Sequence, residues 1–331
     1  MNKKLSHLFF VIFTLLATSP FSHGQTQQPT DEQLARILKR FPAVDKDKNG
    51  KLSTEEFEAF RQQFLQSKKK SRDPAIATEP MQGGDTKLLE TLAEMNARFK
   101  HVEVDLLEWP DELHKNLGKM TKRALMTRPV EKIGGKVPLL INLHGGGPRW
   151  FNMSFQQQLV IAQQMGMKRG FDLAELAGKR LIVLDPNTME RWDANSLDTM
   201  LDYVLETYPE IDKDRVYVMG YSAGGGATWR WINQSPDRFA AAAPCGFTGG
   251  SAQDDAKKLA KLPIWAMAGG DDGKNPAGIR NMVERLKSVG NGNVKHTEFE
   301  GADHRAGGKA VFGTVELVDW MLGFERPKTM E

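Results

Sequence analysis

Arg215-Val216-Tyr217-Val218-Met219-Gly220-Tyr221-Ser222-Ala223-Gly224-Gly225-Gly226-Ala227-Thr228-Trp229 is the stretch on which the fold reading turns. It begins with an apolar strand, Val216 to Met219. It then passes through Gly220-Tyr221-Ser222-Ala223-Gly224 and enters a helix predicted over Gly225 to Asn233. A G-x-S-x-G pentapeptide acquires meaning only between a strand and a helix, where the turn is too tight for side chains beside the serine. Such a turn holds the Ser222 hydroxyl above the sheet edge, at the positive end of the following helix.

Outward from this turn, apolar runs alternate with amphipathic stretches. Strands are predicted at Val102–Leu107, Arg123–Val130, Val137–Leu143, Leu181–Leu184, Phe239–Ala243, Ile264–Ala268 and Val294–Phe299. Helices are predicted around Gln156–Met165, over Ser196–Thr207, and last over Val311–Leu322. Near-continuous apolar strands spaced by helices imply an α/β fold, a mainly parallel sheet covered on both faces. This part is expected to span residues 87–326.

A serine that attacks a carbonyl needs donors for the oxyanion, a base, and an acid to orient that base. Leu143-His144-Gly145-Gly146-Gly147 follows an apolar strand, and bare glycines there free main-chain N–H groups to face the site. The expected donors are the N–H of Ala223 and that of Gly145 or Gly146. Of the seven histidines, only His296 and His304 follow the serine. His296 lies inside a strand, whereas His304 falls just past its end, so His304 is the expected base. For the acid, Asp271 and Asp272 compete in the loop Gly269-Gly270-Asp271-Asp272-Gly273. The spacing Gly269-x-x-Asp272, with Pro276 after it, favours Asp272. The order Ser, Asp, His along the chain is one of the known orders for such a triad.

The N-terminal region reads differently. Lys3 and Lys4 precede an apolar run, Leu8 to Leu16, and small residues around Ser22-His23-Gly24 suit a signal peptidase. Residues 1–24 are therefore expected to be a cleaved signal, leaving a secreted or periplasmic chain with no membrane attachment. Residues 25–66 follow, then a linker over 67–86 rich in charge, Pro and Gly. Inside 25–66, Asp45-Lys46-Asp47-Lys48-Asn49-Gly50-Lys51-Leu52-Ser53-Thr54-Glu55-Glu56 fits an EF-hand calcium loop. The expected ligands are the side chains of Asp45, Asp47, Asn49, Ser53 and Glu56 and the carbonyl of Lys51, all oxygen as Ca2+ demands. Amphipathic stretches, Leu34/Ile37/Leu38/Phe41 before and Phe57/Phe60/Phe64 after, flank the loop. A single loop of this kind suggests a structural rather than a sensing role for the calcium.

Composition narrows the partners. With 45 Lys and Arg against 42 Asp and Glu, a formal net charge of +3 gives no basis for a nucleic-acid partner. The single cysteine, Cys245, follows a small apolar run and reads as a packed thiol.

The segments VPLLINLHGGG, IDKDRVYVMGYSAGGGATW, LPIWAMAGGDDGKNP and EFEGADH together resemble secreted α/β-hydrolase esterases. The polyhydroxybutyrate depolymerase, feruloyl esterase and dienelactone hydrolase-like groups come nearest, and prolyl oligopeptidase-like catalytic domains are also similar. The resemblance spans most of residues 100 to 325. It departs at GGDDG, where many relatives carry one plausible acid. It implies two-step cleavage of a small-molecule or polysaccharide ester, needing no cofactor for the chemistry itself. Two other readings compete: a serine peptidase, and a binding module with a vestigial triad.

Overall fold

The computed structural model describes residues 45–53, 55–56, 59, 84–131, 134–146, 153–164, 166–247 and 253–326. The expected signal (1–24), most of the two stretches flanking the calcium loop and most of the linker lie outside the described residues. The chain divides into two units, Met1–Glu79 and Pro80–Glu331.

In the second unit the elements follow in order: α1 (Gly84–Asn96), β1 (Val102–Glu108), α2 (Asp111–His114), β2 (Arg123–Pro129), β3 (Val137–Leu143), α3 (Phe155–Gln164), α4 (Gly170–Ala177), β4 (Ile182–Asp185), α5 (Ala194–Thr207), β5 (Ile211–Tyr221), α6 (Ala223–Gln234), β6 (Ala241–Cys245), α7 (Gln253–Lys258), β7 (Ile264–Gly269), α8 (Asn275–Ser288), β8 (Val294–Phe299), α9 (His304–Val311) and α10 (Glu316–Leu322). The eight strands form one sheet in the order β1-β2-β4-β3-β5-β6-β7-β8. β2 pairs antiparallel with both β1 and β4, so it alone runs against the other seven. All remaining pairs are parallel.

The central strands are apolar at successive positions because helices cover both faces. Every residue of β3 is buried. Along β5, Val216 and Val218 enter one core with Leu139, Ile141, Trp229 and Met200. Tyr217, Met219 and Tyr221 enter the core on the other face, with Leu140, Ala241, Met267, Val311 and Leu317. Burying a large apolar side chain of this kind contributes about 1.5–3 kcal/mol. On α1, Leu88, Leu92 and Met95 recur at helical spacing and pack in a third cluster with Val104, Leu125 and Phe171. No helix among the described residues is long and apolar enough to cross a membrane.

The order of the sheet positions the site. From β3 the chain steps one way to β4, then crosses back to β5 on β3's other side. In parallel sheets the crevice beyond the strand ends at such a reversal is where ligands bind. The two strands at this point, registered Leu143 opposite Gly220, carry the His144-Gly145 loop and Ser222.

Two predicted elements differ. The helix expected over Val311–Leu322 is two helices, α9 and α10. Thr314 Oγ1 donates to the Ala310 carbonyl at 2.9 Å, taking an acceptor that a continuing turn would use. His304, expected just past a strand's end with no helix predicted until Val311, is the first residue of α9. Asp303 caps that helix, its carboxylate accepting from the N–H groups of Arg305 and Ala306 at 3.0 and 2.8 Å.

Candidate active site

Ser222 adopts φ 61° and ψ −120°, a left-handed conformation that for a residue with a side chain costs of order 1–3 kcal/mol. The surroundings hold it there. Its N–H donates to the Cys245 carbonyl at 3.0 Å, and its carbonyl accepts from Gly226 N–H at 3.0 Å. A methyl group at Gly224 would sit 1.8 Å from the Leu143 carbonyl oxygen, so only glycine lets helix α6 approach β3 this closely.

The hydroxyl so presented meets the imidazole. His304 Nε2 lies 2.8 Å from Ser222 Oγ, and His304 Nδ1 lies 2.7 Å from Asp272 Oδ2. Asp272 is buried and follows β7, Ser222 follows β5, and His304 opens α9 beyond β8. Three side chains distant in sequence therefore share one edge of the sheet. Asp271 is exposed, and its N–H donates to the Ala302 carbonyl. Between the two aspartates, Asp272 makes the contact with histidine. His296 sits in β8 beside Glu298, where burial lowers its pKa, and it takes no part in this constellation. Cys245 is buried in β6, and burial pushes its thiol up to about 12, which leaves it inert as a nucleophile.

The glycine loop lies directly against the serine. A methyl group at Gly145 would come within 3.0 Å of Ser222 Cβ and 2.6 Å of the Tyr221 carbonyl oxygen. His144 braces this loop. Its Nδ1 is 2.9 Å from the Gly145 carbonyl, so Nδ1–H donates and Nε2 is left bare. Nε2 in turn accepts from Thr188 N–H at 3.1 Å. Burial first, then the positive charge of Arg169, lowers this imidazole to about 3 and keeps it neutral. Because the peptide is trans, gripping the Gly145 carbonyl turns the Gly146 N–H the opposite way. Trp192 Nε1 donates to the His144 carbonyl at 3.0 Å and packs against the ring. Neither Thr188 nor Asp303 was visible as part of the site from sequence. A D-H-R-A string does carry the signature of a helix cap, but the surrounding glycines read as loop.

At the other unit, Gly50 turns the loop with φ 79°. Asp45 Oδ1 accepts from Asn49 N–H at 3.2 Å and Oδ2 from Gly50 N–H at 2.9 Å, while Asn49 Oδ1 accepts from Lys51 N–H at 2.8 Å. Glu56 accepts from the N–H groups of Ser53 at 3.0 Å and Lys46 at 2.7 Å, and these bonds hold its carboxyl below the usual range. One carboxylate oxygen each from Asp45, Asp47 and Glu56 lie within 4.8 Å of one another. Oxygen atoms gathered in this way are the ligand type that a hard cation such as Ca2+ takes.

Comparison with known proteins agrees with this architecture. The model of the prolyl oligopeptidase family, Peptidase_S9, matches residues 187–289, less than half of the chain. That match includes Ser222 and Asp272 and stops short of His304. No curated protein matches. Among solved structures, the chain is similar to a thermostable esterase at 22% identity and a TM-score of 0.51, covering 68% of this chain and 64% of that one. It is similar to the acylaminoacyl peptidase of Pyrococcus horikoshii at 14% identity and a TM-score of 0.49, covering 72% of this chain and 44% of that one. A fluorophosphonate-binding serine hydrolase of Staphylococcus aureus matches at 16% identity and a TM-score of 0.46, covering 67% and 99%. The chain thus spans less than two thirds of the length of the esterase and under half of the peptidase. The likeness is one of fold: this chain has the α/β-hydrolase fold, and its family match supports a serine hydrolase.

Proposed function

We propose that the chain is a secreted hydrolase of carboxylic esters acting by two-step acyl transfer. The observation that carries this reading is the unbroken line from Ser222 Oγ to His304 Nε2 at 2.8 Å and from Nδ1 to Asp272 at 2.7 Å. In the first step His304 takes the Ser222 proton as Oγ attacks the ester carbonyl. The N–H groups of Ala223 and of Gly145 or Gly146 receive the negative charge. Ala223 N–H opens α6, where first-turn N–H groups have no partner inside the helix. His304 then protonates the leaving alcohol, and water attacks the acyl-enzyme along the same proton path. Asp272 keeps the imidazole in the tautomer this requires.

The family match favours a second reading, amide cleavage by a peptidase, because the same triad serves both. Assaying p-nitrophenyl acetate, feruloyl esters and peptide anilides with the mature protein separates the two. Turnover of esters with none of anilides supports the esterase; anilide turnover at comparable kcat/KM replaces it with a peptidase. Lack of all turnover, with Ser222 unreactive, would leave the binding module.

The loop from Asp45 to Glu56 is proposed to hold one Ca2+ in a structural role. The side chains of Asp45, Asp47, Asn49, Ser53 and Glu56 and the Lys51 carbonyl are its ligands. The N-terminal segment is proposed to direct export.

A further inference from the structure

Tyr221, the residue before the serine, is the centre of an arrangement that acyl transfer by itself does not call for. Its hydroxyl donates to the main-chain carbonyl of His304 at 2.7 Å. Its ring lies 5.1 Å, centroid to centroid, from the His304 ring. Three glycines on two other segments leave the space it fills. A methyl group at Gly246 would come within 2.5 Å of the ring, one at Gly307 within 2.8 Å of the hydroxyl, and one at Gly308 within 3.1 Å of Cε1. Burial, reinforced by the charge of Asp272, holds the phenol well above the ordinary tyrosine value, so it stays a donor wherever the enzyme would work.

We propose that Tyr221 is a positioning residue: together with Ser222 it holds His304 at both ends, the tyrosine by the backbone and the serine by the ring. The proposal rests on the acyl-transfer reading. Ser222 is fixed by the elbow, but His304 opens a separate helix more than eighty residues on, so the 2.8 Å proton path requires a tie between the two elements. The Tyr221 hydroxyl makes that tie from the residue covalently joined to the nucleophile. Small displacements of a reacting group lower rates steeply, because the near-attack geometry is lost.

Tyr221→Phe removes the hydroxyl and keeps the ring. Its kcat on esters and its rate of fluorophosphonate labelling should both fall roughly 10-fold with KM within about twofold. The low-field proton resonance of His304 Nδ1–H should broaden or shift. Gly308→Ala provides a second route: alanine favours a helix over glycine, yet its methyl presses on the Tyr221 ring. That variant should lose rate without losing thermal stability. Wild-type rates and an unchanged resonance in Tyr221→Phe, or a lowered melting temperature with unaltered kcat, would overturn the proposal. A wild-type protein that takes no label sinks the acyl-transfer reading instead, and the resonance would still report whether Tyr221 governs His304.

Discussion

Ser222 keeps a positive φ because its neighbours leave it no other choice, and the residues around it divide into those that react and those that hold. Asp271 and Asp272 show the division most sharply. They are adjacent in sequence and equal in chemistry, yet one is exposed and the other lies buried 2.7 Å from His304 Nδ1. Asp272→Asn should lower kcat roughly 10⁴-fold, because the amide favours the wrong imidazole tautomer. Asp271→Asn should leave kcat within about twofold, as an exposed side chain that makes no contact with His304 among those described. Steady-state ester hydrolysis by the two variants checks this. The choice was readable from loop spacing. The roles of Thr188 and Tyr221 were not, since each acts through a contact with a residue more than forty positions away.

At the scale of elements, the strands were legible because each central one is buried on both faces and so must be apolar throughout. Helix α4 was not: it is only eight residues long and opens on a glycine. The start of α9 was hidden by the glycines around His304, and its break from α10 by a threonine that reads as compatible with a helix. The junction of α6 with β3 invites a direct test. Gly224→Ala forces a methyl into the Leu143 carbonyl, 1.8 Å away, and should cost upwards of about 3 kcal/mol in urea unfolding. The loop after β3 has a pH signature. The folded His144 titrates near 3 against an ordinary 6.5, so between those values the unfolded chain binds a proton that the folded chain does not. Its contribution to stability is complete above pH 6.5 and is lost as pH falls from there toward 3, by up to about 1.4 kcal/mol per unit. Asp185 works in the other direction: burial raises its carboxyl to about 6, so it gains stability as pH drops from there toward 3.8. Unfolding titrations of the wild type and His144→Asn between pH 7 and pH 4 isolate the histidine. The wild type should lose stability relative to the variant on acidification, and parallel curves would remove His144 from the account.

On the scale of the whole molecule, one unit carries the Ser222–His304–Asp272 line and the other the Asp45–Glu56 loop for which Ca2+ is proposed. The calcium proposal is tested apart from the enzyme activity. The full chain should bind Ca2+ with a Kd of roughly 10⁻⁴–10⁻³ M by calorimetry, and Glu56→Gln should abolish binding up to about 10 mM. Heat uptake unaffected by the Glu56 change would place any cation elsewhere. What the sequence left unread at this scale is which acyl and alcohol groups the site accepts. The candidate residues were legible as motifs, a glycine-rich turn after each of two apolar strands and an Asp and a His after later ones; the strand order that sets β3 beside β5 was not.

Intact-mass analysis after incubation with a fluorophosphonate, followed by peptide mapping, reaches the centre of the account directly. One adduct per chain is expected, on the peptide containing Ser222, absent in Ser222→Ala and formed at least ~10³-fold more slowly in His304→Ala. An adduct on another residue, or labelling of Ser222 at an undiminished rate without His304, would contradict it.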